Sequence, residues 1–164
     1  DRRGHGEEEG RYTHHLSLRG IKEKDPSSIQ ALESTTVGEI MTRQVETVSP
    51  ALPLDRLAKL VETKGHSGFP VVNDRRKVVG MVTIEELRAA LGEDDLPHDA
   101  VVTGDIMRSP APSVLSEQTI GEAVSAFNRF NVDRLVVVEK DHPHAVAGIV
   151  TQSDVLKVYR TLLL

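Results

Sequence analysis

The sequence predicts an α+β fold in which two β-α-β-β-α units pack about a pseudo-two-fold axis. One supporting observation is an internal repeat. Gly38-Glu39-Ile40-Met41 returns as Gly104-Asp105-Ile106-Met107, and Phe69-Pro70-Val71-Val72 returns at the same offset as Leu135-Val136-Val137-Val138. Gly80-Met81-Val82-Thr83 then meets Gly148-Ile149-Val150-Thr151 at an offset longer by two residues, an insertion placed where a hairpin loop tolerates it. The other observation is a matching order of periodicities in each copy, helical spacing followed by two short apolar runs.

The elements follow in order. A short apolar stretch opens each copy, Val45 to Val48 and Ser113 to Leu115. A helix comes next: Leu54, Leu57, Ala58 and Val61 share one face, as do Ile120, Ala123, Val124 and Phe127. Thr119 and Glu122 give the second of these helices a capping-box start. Two strand pairs follow. Phe69–Val72 and Val78–Val82 are turned by Asn73-Asp74-Arg75-Arg76, and Leu135–Glu139 and Ala145–Val150 are turned through Asp141-His142-Pro143-His144. Closing helices are expected over Ile84–Leu91 and Gln152–Leu162.

Four segments result: 1–36 preceding the repeats, 37–92 as the first repeat, 93–100 as an acidic linker broken by Pro97, and 101–164 as the second repeat. A single copy of about 60 residues is marginal alone, so the two are expected to pack together. Asp1–Gly10, rich in Gly and charge, is expected to be mobile, and Tyr12–Glu33 to lie along the repeats.

Composition narrows the function. The 164 residues contain no Cys, which excludes disulfides, Cys-ligated zinc, iron–sulfur clusters and thiol catalysis. Net charge is −5 and no block is strongly basic, which argues against a nucleic-acid partner. No apolar run approaches the roughly 18 residues that span a bilayer. The chain opens at Asp1, as a fragment of a longer protein would. Phosphate-loop, zinc-protease and nucleophile-elbow motifs are missing, so no enzyme is expected. His14-His15 and His142-Pro143-His144 lack the partners of a metal site. The acidic linker reads as solvated, and Arg75-Arg76-Lys77 as a basic hairpin tip that is either a plain turn or a contact surface.

One motif carries binding chemistry. Thr151-Gln152-Ser153-Asp154 lies where a strand enters a helix, and a helix N-terminus offers free N–H groups and positive potential to a phosphate. An ionised Asp there accepts hydrogen bonds from both hydroxyls of a ribose. The other reading is a capping box, with Thr at N-cap and the acid at N3. Thr83-Ile84-Glu85-Glu86 fits that box well, because Glu is the usual N3 partner; Asp154, being shorter, fits it less well and leans towards a ligand.

The Ile-Met lead-ins, the apolar-Pro-Val-Val strand and the Gly-apolar-apolar-Thr-x-x-acid closing motifs, in order and twice, resemble a tandem pair of CBS domains, the Bateman module, over about Val37–Tyr159. Tyr12-Thr13-His14-His15-Leu16-Ser17-Leu18-Arg19-Gly20-Ile21 is similar to the segment after the last membrane helix in chloride channels and transporters of the CLC family. His66-Ser67-Gly68-Phe69-Pro70-Val71-Val72 is similar to a run in the first CBS repeat of that family. The resemblance implies a non-catalytic regulatory region on the cytoplasmic side of a membrane, joined to a membrane-embedded transport domain of the same chain. It also implies a homodimer and an adenine nucleotide (ATP, ADP or AMP) between the repeats, with no cofactor required.

Carried over residue by residue, the resemblance groups Val45, His66, Ser67, Pro70, Thr151 and Asp154 in one cleft. Val45 would meet the adenine edge through its backbone, His66 would stack on the base, Ser67 would donate to a phosphate and Asp154 would hold the ribose. Phe69 either walls the base or packs in the core. A second, degenerate cleft would use Ala111, Val132, Asp133, Thr83 and Glu86, with Asp133 repelling phosphate unless Arg134 offsets it. The rival readings are a ligand-free dimerisation scaffold and a nucleotide-sensing pair attached to another membrane transporter, such as a magnesium transporter, or to a metabolic enzyme such as IMP dehydrogenase.

Overall fold

A computed structural model describes residues 26–93 and 97–163. Asp1–Gly10, the Tyr12–Ile21 motif with His14-His15, and Asp94, Asp95 and Leu96 of the acidic linker lie outside the described residues. The element order is α1 (Pro26–Ser34), α2 (Val37–Ile40), α3 (Leu54–Lys64), β1 (Gly68–Val72), β2 (Val78–Thr83), α4 (Ile84–Leu91), α5 (Thr103–Ile106), β3 (Ser113–Leu115), α6 (Ile120–Phe130), β4 (Arg134–Val138), β5 (Gly148–Thr151) and α7 (Gln152–Leu163). The predicted α+β architecture is present in both repeats.

Each repeat is a small sheet with helices on one face. β1 and β2 pair antiparallel, as do β4 and β5, and β3 joins β4 in parallel. The expected lead strand of the first repeat is reduced to one parallel bridge between Val48 and Val71. The repeat alignment supplies the reason. In the second repeat the Val136 N–H donates to the Pro112 carbonyl at 2.9 Å and lengthens the ladder. Pro70 holds the matching position in the first repeat and has no N–H to give. The last strand also differs from expectation: β5 starts at Gly148, not Ala145, because Ala145 is still bonded to His142 inside the inserted turn, at 3.2 Å.

The helical faces are buried as their spacing predicts. Leu54 and Leu57 reach the first core with Phe69, Val71, Val82 and Leu87. Ile120, Ala123, Val124 and Phe127 fill the second with Leu135, Val137 and Val150. Thr119 caps α6 by accepting from the Glu122 N–H at 3.2 Å. α1 forms within the segment expected to lie along the repeats, and its Leu32 is buried in the second core. A third cluster joins the repeats: Met81, Val136, Val138 and Ile149 meet across the interface between the two sheets.

The lead-ins cross over. Val37 and Met41 belong to the core of the second repeat, and Ile106 and Met107 pack on the core of the first. Thr42 exchanges backbone hydrogen bonds with Ile149 at 2.8 and 2.9 Å, and Arg108 does the same with Met81 at 2.8 and 2.9 Å. Each lead-in thus runs beside the last strand of the opposite repeat. The approach requires glycine: a Cβ on Gly148 would lie 2.6 Å from Met41 Sδ and 2.7 Å from the Thr42 carbonyl oxygen. On Gly80 it would lie 2.6 Å from Met107 Sδ and 2.8 Å from the Arg108 oxygen.

Gly148→Ala is therefore expected to destabilise the chain by about 1–3 kcal/mol, the usual cost of overpacking. Urea unfolding reads this, and an unchanged midpoint would refute the close contact. A second prediction concerns Tyr159 on α7, which is 7% exposed with its hydroxyl unpartnered among the described residues. Burial pushes its pKa up from 10.0 to about 12. The folded state then holds a proton that the unfolded state has lost, so stability falls as pH rises from 10 towards 12. Tyr159→Phe should flatten that slope while leaving stability at neutral pH equal or higher.

Candidate functional site

The site is built where the two repeats face each other across the pseudo-two-fold axis. Gly68 at the start of β1 and Arg134 at the start of β4 are matching repeat positions. A side chain on Gly68 would meet Arg134, because a Cβ there would lie 2.9 Å from Arg134 Cδ. Arg134 thus crosses into the first repeat. Its Nη2 donates to the Ser67 hydroxyl, its Nη1 to the Gly68 carbonyl at 3.5 Å, and its Nε to Asp133 at 3.3 Å. The Arg134 side chain is 13% exposed and that of Asp133 is 39% exposed, so the cation is bedded in and its partner faces water.

Two clefts flank this arginine. The smaller, of about 130 Å³, is lined by Thr42, Val45, His66, Pro70, Arg134 and Thr151 among others. Four of the residues assigned to the first cleft, Val45, His66, Pro70 and Thr151, are brought together there. The His66 ring stands edge-on to Phe69, with 5.8 Å between centroids and 88° between planes. Phe69 is buried in the first core, which favours packing as its role. Arg134 pairs with Thr151, the residue before α7, across β4 and β5, and both line the recess.

Two expectations need correction here. Ser67 does not line the His66 recess. Held by Arg134, it lines the larger cleft, of about 300 Å³, with Thr83, Glu86 and Asp133. Ala111 lies elsewhere again, in a groove of about 470 Å³ beside Ser109, Pro110 and the inserted hairpin residue His144. The second set is accordingly split between two hollows.

The closing motifs also reverse the expected contrast. Thr151 and Asp154 form the complete capping box: the Thr151 N–H donates to Asp154 Oδ2 at 2.9 Å, and the Asp154 N–H donates to Thr151 Oγ1 at 3.1 Å. Asp154 stands one turn behind the recess that Thr151 lines. In the other motif the Thr83 hydroxyl donates to the Glu86 carboxylate and accepts from the Glu85 N–H at 3.3 Å. Glu86 therefore turns to the hydroxyl of the cap and into the larger cleft.

Arg134 was weighed in the sequence only as a counter-charge for Asp133. The signal for a larger role was its alignment with Gly68, a large cation matched to a residue without a side chain. Arg108 was missed altogether. It lines the larger cleft, donates from Nη1 to the Phe130 carbonyl at 2.7 Å, and lies 5.8 Å from the Phe130 ring centroid. Among the described residues no group of three or more His, Asp or Glu is placed to hold a metal ion, and no helix is long and apolar enough to cross a membrane.

Comparison with known proteins agrees with this architecture. Residues 37–93 and 102–161 each match the CBS domain. An uncharacterised protein of Methanocaldococcus jannaschii is 29% identical over 134 residues, 82% of this chain and 43% of that protein. The inosine-5'-monophosphate dehydrogenase of the same organism is 30% identical over 135 residues, again 82% of this chain but 25% of the enzyme. The match thus spans less than half the length of either relative. Among solved structures, CBSX2 in complex with AMP superposes with a TM-score of 0.68 at 25% identity, covering 79% of this chain and 99% of that one. The CBS domain of a bacterial CNNM/CorC family Mg2+ transporter in complex with ATP superposes with a TM-score of 0.70 at 25% identity, covering 84% and 96%. With the repeat, its crossed lead-ins and these matches in hand, the chain belongs to the CBS-domain family and carries the domain as a tandem pair.

Proposed function

We propose that this CBS pair is a non-catalytic regulatory module that binds an adenine nucleotide in the recess of Val45, His66, Pro70, Thr151 and Arg134, with Asp154 behind it. The observation that carries the reading is that Arg134 and Thr151, cross-strand partners at the entry to a twelve-residue helix, line one recess. The arginine is a source of positive potential for a phosphate. The complexes of related CBS structures with AMP and with ATP support the ligand class. The recess draws on both repeats, so a ligand there favours one inter-repeat arrangement, by no more than its differential affinity for the two.

The module is further proposed to work as a homodimer. Leu156 on α7 is 46% exposed, a large apolar side chain on a closing helix. The attached domain is proposed to be a membrane-embedded transport domain of the CLC type, with the CBS pair on its cytoplasmic side, on the strength of the Tyr12–Ile21 and His66–Val72 similarities. A metabolic enzyme is the second reading, favoured by the dehydrogenase relative that matches 82% of this chain. The gene upstream of the Asp1 codon separates them: an apolar stretch of about 20 residues supports the transporter, and a soluble catalytic domain supports the enzyme.

Isothermal titration with ATP, ADP and AMP tests the ligand. Arg134→Gln should weaken binding about 10- to 100-fold, the worth of a hydrogen bond to a charged group. Asp154→Ala should remove about 1.5–3 kcal/mol for each ribose bond lost. It also removes a helix cap worth about 1 kcal/mol of stability, so affinity and not melting temperature is the readout. Full affinity in both variants would overturn the assignment. Silence with every nucleotide would favour the ligand-free dimerisation scaffold.

A further inference from the structure

A third hollow shares no lining residue with either cleft. It is a groove of about 470 Å³, walled by Val79, Met107 and the inserted hairpin residues Pro143 and His144. Val78, Ala111 and Val138 give it an apolar floor continuous with the cluster that joins the repeats. The second lead-in leaves it open, because Ser109 and Ala111 stand where the first lead-in has the larger Arg43 and Val45. Its walls are held in place. The Ser109 hydroxyl donates to the Val79 carbonyl at 2.8 Å, and the Val78 N–H donates to the His144 carbonyl at 2.7 Å. That second bond ties the turns of the two hairpins together beside the groove. One turn carries Arg75, Arg76 and Lys77 and the other Lys140, and all four cations are exposed. Among the described residues none of the four is paired with a carboxylate. Asn73 braces the first turn by accepting from the Arg75 and Lys77 N–H groups, each at 3.0 Å. Glu139, beside the second turn, accepts from the Ser116 hydroxyl. On a chain of net charge −5, the tips are thus a local cluster of unpaired positive charge.

We propose that the groove and the two hairpin tips form a docking surface for an acidic peptide segment of a partner protein. One bulky apolar side chain of that segment sits in the groove, and carboxylates flanking it meet Arg75, Arg76, Lys77 and Lys140. An apolar anchor in a pocket, ringed by complementary charge, is a common economy of protein recognition. An extended peptide advances about 3.3 Å per residue, so acids a few positions from the anchor reach well beyond the groove. The same features disfavour a membrane surface. A flat array of headgroups responds to the net charge of the tips, which Asp74 and Asp141 reduce, and it leaves the groove unfilled. A peptide instead meets each unpaired cation singly and fills the groove as well. The proposal is independent of the nucleotide reading, because neither the recess nor the larger cleft includes any of these residues.

The test is fluorescence anisotropy on the full chain at low salt, where exposed charges are least screened. The probe is a fluorescein-labelled peptide with a leucine between two pairs of glutamates, and the control peptide has serine in place of the leucine. The leucine peptide should bind and the serine peptide should bind several-fold more weakly. Reversing two tip charges together, Arg75→Glu with Lys77→Glu, should weaken the leucine peptide about tenfold or more, since each exposed pair is worth about 1.5- to 5-fold. His144→Glu, at the groove wall, should also weaken it. All three positions are exposed, so an unchanged melting temperature checks that the variants fold. Equal binding of the two peptides, unchanged affinity in the charge-reversed variant, or no binding of either peptide would overturn the proposal. Sedimentation with phosphatidylserine vesicles, without peptide binding, would overturn it in favour of a membrane contact.

Discussion

Each repeat of this chain is closed by a piece of the other, and the rest of the structure depends on that exchange. Met41 enters the second core and Met107 packs on the first, each lying where a side chain on Gly148 or Gly80 would otherwise stand. Two backbone hydrogen bonds then lock each lead-in beside a strand of the opposite repeat. A separate copy of either repeat would lose its lead-in partner and expose the Met81, Val136, Val138 and Ile149 cluster. Apolar exposure on that scale is costly for so small a unit. The pair thus buries apolar surface that a single domain would leave exposed.

The exchange also creates the clefts. With each lead-in carried across the interface, residues following it, Thr42, Gln44 and Val45 on one side and Arg108 on the other, become walls of hollows whose opposite walls include residues of the other repeat. A ligand in such a place touches both repeats by construction. Regulation by population shift needs a ligand that distinguishes two arrangements, and a bridging cavity is a direct way to obtain one.

Much of this was legible in the sequence. The repeat, the two helical faces, the strand pairs and the Thr-x-x-acid motifs at the heads of α4 and α7 could all be read from spacing. The partnership of Met41 with Gly148 could not, because the repeat shows both residues recurring without saying that each copy's methionine meets the other copy's glycine. The shortening of the first lead strand follows from Pro70 once its partner is known, since the missing N–H matters only if a parallel neighbour exists. Ser67 was assigned to the wrong cleft because its direction is set by Arg134, a residue of the other repeat. The capping contrast was misjudged for a related reason. Side-chain length alone favoured Glu86, but its carboxylate is drawn to the Thr83 hydroxyl, while Asp154 reaches back to the Thr151 N–H.

Those cases converge on one residue pair. Two nearly equivalent repeats would produce two nearly equivalent clefts if matching residues at the axis were alike. They are not: Gly68 has no side chain and Arg134 has a long cationic one, so the volume left open by the glycine is filled by the arginine. Two arginines at these positions would place like charges together at the axis, and two glycines would leave the axis without a cation. The glycine–arginine pair avoids both outcomes and breaks the symmetry. Arg134 lines one recess, while its counter-charge Asp133 and its partner Ser67 line the other cleft. One asymmetric contact at a pseudo-symmetric centre therefore gives different linings to two clefts that the same motif built.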